Sequence, residues 1–222
     1  MKKIVLFLLF FALTFTFGVH GARAAGLGFY GSFGGGTADW SPNSSGVYDF
    51  SKNTKHLGFG LVMDTAPASA RLFNYQLNIG YDRFRNTNSN AWGDADLDSL
   101  VISNNFGFGG MLNSTTRLWF GPEIQIRWAD GKPDRYSNFK IKLFGLGIGP
   151  VLGMNFNFSD SGTFAVKTGY QFIHYAGEGN GYFDHSAPNT VPLYSHNYNY
   201  DVTEKMFYVM LEFMIRTSRD GY

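Results

Sequence analysis

Three histidines lie near the end of the chain, His174, His185 and His196, among the acids Glu178, Asp184 and Asp201. Two chemistries use such residues. A neutral imidazole takes the proton of a serine hydroxyl while a carboxylate orients the ring. Three imidazole or carboxylate groups can instead hold a divalent metal. Neither pattern is complete. Around His174 the chain reads Phe172-Ile173-His174-Tyr175-Ala176, with alanine where a nearby nucleophile would stand. His185-Ser186 and Ser195-His196 are neighbours in sequence, which is not the geometry of a proton relay. The imidazoles are not at i, i+4, so no metal site is expected. Asp94, Asp96 and Asp98 open like a calcium loop, but the glycine at the sixth position and the closing Glu are absent. The chain has no cysteine, which removes thiol chemistry and disulfides. No catalytic residue, cofactor or metal is expected.

A second set of residues carries charge at regular parity: Arg117, Glu123, Arg127, Lys167 and Glu212. Trp119, Met206, Tyr208 and Met210 share that parity. Such a set either forms a proton or ion path or locks a polar interior, and locking is the expectation here. A charge away from water must be paired, so Glu123 and Glu212 are expected to take up the three cations. The elements that position these residues have period two. Phe144, Leu146, Ile148, Pro150, Leu152, Met154 and Phe156 alternate with glycine, Val151 and Asn155. Phe207, Val209, Leu211, Phe213 and Ile215 alternate with Met206, Tyr208, Met210, Glu212 and Met214. That is strand periodicity with one apolar face and one small or polar face. Strands are expected at about 26–35, 55–64, 71–84, 99–110, 116–128, 139–157, 163–175 and 203–216. The connections alternate between short (65–70, 111–115, 158–162) and long (36–54, 85–98, 129–138, 176–202). The fold class expected is all-β, an eight-stranded antiparallel transmembrane β-barrel with short turns on one side and long loops on the other. A soluble sandwich would share the alternation.

The first residues favour the membrane. Lys2 and Lys3 precede an apolar run from Ile4 to Phe17, and Ala22-Arg23-Ala24 is a small-x-small cleavage sequence. Residues 1–24 read as a secretory signal peptide, and 25–222 as the barrel domain. The 18 Lys and Arg, less Lys2, Lys3 and Arg23, stand at 15 against 17 acidic residues. No basic stripe is left for nucleic acid.

Tyr75-Gln76-Leu77-Asn78-Ile79-Gly80-Tyr81 and Gly147-Ile148-Gly149-Pro150-Val151-Leu152-Gly153, with the leader, resemble the small eight-stranded outer-membrane barrels of Gram-negative bacteria, the OmpX/OmpW-like group. The resemblance spans about 25–216 and implies export to the cell outer membrane, with the barrel assembly machinery, membrane lipid and lipopolysaccharide as partners. Members usually end on an aromatic residue inside the last strand. Here Thr217 to Gly221 separate Tyr222 from it. His174 with Ala176 loosely resembles the His-x-Ser of outer-membrane lipid A deacylases, without the serine.

Three surfaces remain. Pro122 and Pro150 fall mid-strand on the lipid-facing parity, and each requires a bulge or gap in a wall that has no free edge. The two come out roughly opposite across a hairpin and could form a lateral gap. Lys132, Arg135, Lys140 and Lys142 form a cationic rim suited to lipopolysaccharide phosphates. The loop 176–202 is rich in Tyr, Asn and His, as binding loops are. The function expected is non-enzymatic: a structural or porin-like barrel, passing a small hydrophobic solute through its glycine-lined interior. The alternatives are a lipid A-modifying enzyme and an adhesin or receptor acting through that loop.

Overall fold

A computed structural model describes residues 25–43, 49–87, 94–134, 139–182 and 195–216. The signal-peptide reading of 1–24 and the end of the chain after Arg216 lie outside them.

Eight strands follow one another: β1 (Gly26–Pro42), β2 (Phe50–Asp64), β3 (Phe73–Thr87), β4 (Ala95–Met111), β5 (Thr116–Pro133), β6 (Lys140–Asn157), β7 (Gly162–Tyr182) and β8 (Ser195–Arg216). Each pairs antiparallel with its sequence neighbours, and β8 returns to β1, closing the barrel. Closure leaves no unpaired edge, which is what a strand protein in hydrocarbon requires.

The outward parity carries the large apolar side chains. Phe29, Phe33, Leu57, Phe59, Phe120, Leu146, Ile148, Phe172, Phe207 and Phe213 are all exposed. An apolar surface of that extent faces lipid, not water. The belt ends abruptly on the side of the long connections. Going outward, Leu57 gives way to Lys55, Tyr81 to Arg83, Leu100 to Asp98, Trp128 to Asp130, Phe144 to Lys142 and Phe207 to Lys205.

The strands are longer than the sequence pattern suggested. Residues 36–42, 50–54, 85–87, 95–98, 129–133, 176–182 and 195–202 continue the ladders where loops were expected. A barrel strand needs only about 9–11 residues to cross a bilayer, and β8 has 22. The barrel therefore projects beyond the belt. There the burial parity changes meaning. Within the belt the apolar side chains point outward. Above it, Trp40, Phe84, Leu97, Ile141, Leu143 and Val202 point inward and pack as a core. Alternation of apolar residues cancels in any sequence window that spans this switch, which is why the extensions were not visible as strands.

The prolines occupy a defined place in the wall. Pro122 stands directly opposite Pro150 in the β5–β6 ladder. Opposed antiparallel residues either exchange two hydrogen bonds or none. Two prolines have no N–H to exchange, so their missing donors face the outer neighbours, β4 and β7. Pairing is interrupted there. The β4–β5 ladder passes from Asn105↔Glu123 to Phe108↔Phe120. The β6–β7 ladder passes from Ile148↔Phe172 to Val151↔Gly169.

Candidate functional site

The interior is the part of the molecule where chemistry concentrates. Inward positions of eight strands meet at one axis, and a barrel of this size is just wide enough to be filled by side chains. Arg117, Glu123, Arg127, Lys167 and Glu212 are all inside and buried, as are Trp119, Met206, Tyr208 and Met210. Their placement follows the expected parity. Their pairing follows it only for Lys167 and Glu212.

The layer at the outer end of the belt is built on Arg127. Its Nη1 donates to Asp82 Oδ2 at 2.6 Å. His56 lies between two carboxylates, with Nδ1 2.8 Å from Asp82 Oδ2 and Nε2 2.7 Å from Glu204 Oε1. Both carboxylate oxygens are acceptors. Only the imidazolium form has a donor on each ring nitrogen, so this geometry holds His56 as a cation. Tyr175 Oη donates to the other oxygen of Glu204 at 2.9 Å. Phe84 stacks on the His56 ring, with centroids 5.2 Å apart. Two cations and two carboxylates thus close the barrel in a charge-balanced layer drawn from β2, β3, β5 and β8. Arg127 was expected to pair with Glu123 or Glu212. It pairs instead with Asp82, because β3 delivers a carboxylate at its own level. The parity that puts Gly58, Gly80 and Met206 inside also puts His56, Asp82 and Glu204 inside, and that signal was available.

The next layer is built on Glu123, which takes no cation. Its Oε2 accepts from Gln171 Nε2 at 2.8 Å and from the Tyr208 hydroxyl. A buried carboxylate can be held by neutral donors when they are well placed. Below it, Lys167 and Glu212 form the expected ion pair, with Nζ 3.5 Å from Oε1. Lys167 also donates to Gln76 Oε1 at 3.0 Å and Asn78 Oδ1 at 2.8 Å. Gln76 in turn donates to Glu212 Oε2 at 2.8 Å.

Arg117 meets neither glutamate. Its Nη1 donates to the carbonyls of Ser69 and Arg71 at 2.6 and 2.8 Å. The first short turn folds into the barrel mouth, with Ala66 and Ser69 buried, and Asn155 Nδ2 holds the Pro67 carbonyl at 3.0 Å. A short connection expected as a plain turn is a stopper for the inner mouth.

The glycine-lined face does not leave an apolar channel. A Cβ at Gly169 would lie 2.6 Å from the Tyr208 ring, and one at Gly107 would lie 2.7 Å from the Trp119 indole. These glycines make room for Tyr208 and Trp119. A void of about 20 Å³ lies between His56, Arg127 and Tyr208, about the room one water needs. The space beside these glycines is filled by ring atoms.

The wall holds a larger space. A cleft of about 330 Å³ opens on the lipid side at the β6–β7 interruption, lined by Pro150, Leu152, Thr168, Tyr170, Phe120 and Phe207. At the rim, Lys132, Lys140 and Lys142 are exposed as expected, and Arg135 lies outside the described residues. Lys142 is flanked in register by Asp130 on β5 and Glu178 on β7, and Lys132 faces Asp96. The acidic run is likewise taken up. Asp98 accepts from Arg83 at 2.8 Å, and Asp94 and Asp96 lie 3.3 and 3.6 Å from Arg85. The Arg83 guanidinium holds the exposed Asp98 carboxyl below the usual carboxylate range. His174 stands outside, exposed, 3.9 Å from Asp201. Among the described residues no group of acids and imidazoles is arranged to hold a metal.

Similar folds occur among solved structures. The outer membrane protein OprG of Pseudomonas aeruginosa matches 89% of this chain and 97% of its own, at 13% identity and a TM-score of 0.58. Neisserial surface protein A covers 82% of this chain and 95% of its own at 11% identity and a TM-score of 0.37. No family model and no curated protein matches the sequence. The fold is that of the small eight-stranded outer-membrane barrels.

Proposed function

We propose that this chain is a non-enzymatic integral protein of the Gram-negative outer membrane, exported by its leader and inserted by the barrel assembly machinery, with a sealed interior. The observation that carries this reading is the Arg127–Asp82–His56–Glu204 layer closing a barrel whose outside is an apolar belt. Ions and sugars have no path along such an axis. The enzymatic alternative lacks support in the described residues, because the hydroxyl that His174 meets there is the exposed one of Thr203, at a long 3.4 Å, and the interior imidazole is held on both nitrogens. The adhesin alternative rests on the tip of the last loop, 183–194, which lies outside the described residues.

A second reading, passage of a small hydrophobic solute, is supported by the wall and not by the lumen. The opposed prolines interrupt both flanking ladders, and the cleft at Pro150 faces the bilayer. Vesicles carrying the folded chain would be loaded with a small apolar fluorophore and its transfer rate followed. Pro150→Ala with Pro122→Ala restores two N–H donors at the interruptions. Transfer several-fold above protein-free vesicles, falling in the double variant, is the expected result for wall passage. Transfer equal to that of protein-free vesicles leaves a purely structural barrel.

A further inference from the structure

The first polar position above the apolar belt differs from strand to strand, and the charges are not evenly spread. On β3 to β6 it carries Arg83, Asp98, Asp130 and Lys142, which are adjacent in register and mix both signs. On β8, β1 and β2 it carries Lys205, then Gly35 and Thr37, then Lys55. This arc has cations only. Lys55 stands opposite Gly35 on one side and Arg85 on the other. Lys205 stands opposite Thr37 and Phe172. Both lysines are exposed. Among the described residues no carboxylate lies within ion-pair distance of either, whereas Arg83 and Arg85 are both so engaged. The nearest outward acid on β1, Asp39, accepts from the Ser51 hydroxyl.

The floor between the lysines is low. Gly35 has no side chain, and a Cβ there would meet the Thr54 carbonyl at 3.0 Å. Below it the outward face is apolar: Phe33 on β1 itself, with Leu57, Phe59, Phe207 and Leu211 on the neighbouring strands. Neighbouring strands are about 4.8 Å apart. The two lysines therefore flank β1 at a spacing their side chains can close around one phosphate, with the Thr37 hydroxyl between them. A strongly hydrated free anion would gain nothing from the apolar strip below. A lipid whose phosphate sits at the belt edge and whose acyl chain lies along the strip satisfies both halves.

We infer that the β8–β1–β2 face is a binding site for a phosphorylated lipid of the outer leaflet, with Lys55, Lys205 and Thr37 at the phosphate and the apolar face of Phe33, Leu57 and Phe207 under an acyl chain. This inference rests on the outer-membrane reading above. It moves the lipid contact away from Lys132 and Lys142, whose register partners are acidic.

The test uses the full mature chain, refolded into phosphatidylcholine vesicles containing a minor fraction of diphosphoryl lipid A, or of the same lipid with its phosphates removed. Lipids retained on the extracted barrel are weighed by native mass spectrometry. With two juxtamembrane lysines on one anionic headgroup, the wild type should prefer the phosphorylated lipid by about thirtyfold. Lys55→Gln with Lys205→Gln should bring the preference close to one. Lys132→Gln with Lys142→Gln should leave most of it. Loss of preference in the second pair as large as in the first, or retention in both, overturns the site. An inserted wild type with no preference overturns it while leaving the membrane reading intact. A wild type that fails to insert, shown by the absence of heat-dependent gel mobility, overturns both.

Discussion

Arg127→Met is expected to destabilise the barrel by about 3–5 kcal/mol, the usual cost of removing one partner from a buried ion pair. The layer then holds Asp82 and Glu204 against His56 alone, one negative charge in excess. The double variant Arg127→Met with Asp82→Leu restores the balance, since His56 and Glu204 remain as a pair 2.7 Å apart. It should recover most of the loss, because apolar residues of similar volume substitute for buried ion pairs at little cost. Urea unfolding of the vesicle-inserted chain, read by gel mobility and tryptophan emission, measures both. Equal losses in the single and double variants would mean that volume, not charge, dominates the layer.

Trp119→Ala should cost a similar amount, about 3–5 kcal/mol. Trp119 is 1% exposed and its Nε1 donates to Asn155 Oδ1 at 3.1 Å. The indole lies between two glycines on neighbouring strands. A Cβ at Gly107 would come 2.7 Å from its Cε3, and one at Gly153 would come 2.6 Å from its Nε1. Gly153→Val is therefore expected to destabilise the wild type by overpacking, by about 1–3 kcal/mol. In the Trp119→Ala background it should stabilise, because the added methyls enter the cavity. A change of sign between the two backgrounds, in the same unfolding experiment, identifies the glycine and the tryptophan as one packing unit. The same sign in both would separate them.

The two predictions concern residues of different legibility. Trp119 and its glycines follow from strict alternation within the belt, where apolar residues point to lipid and small residues point in. The same alternation carried Arg117, Glu123, Arg127, Lys167 and Glu212 to the interior. It also placed Pro122 against Pro150, since a hairpin register is arithmetic once the turn is located. Pairing was less legible. Which carboxylate meets Arg127 depends on strand stagger around the barrel, and Asp82 comes from β3, two strands away. His56, Asp82 and Glu204 lie within two residues of the outer ends of the expected strands, where the inward parity has the fewest neighbours to support it. The outer extensions were hidden for a further reason. Above the belt the solvent changes from lipid to water, and Leu97, Ile141, Leu143 and Val202 turn inward. Arg117 holding the Ser69 and Arg71 carbonyls has no signature in spacing, because its partners are backbone.

The most direct test of a sealed interior is electrical. The folded chain, verified by its heat-dependent gel mobility, is inserted into a planar phosphatidylcholine bilayer in molar potassium chloride and held at constant voltage. A barrel closed by Arg127, Asp82, His56 and Glu204 should leave the bilayer at its protein-free baseline, without discrete steps. Reproducible unitary steps that scale with the amount of folded protein would show an open axis and contradict the account.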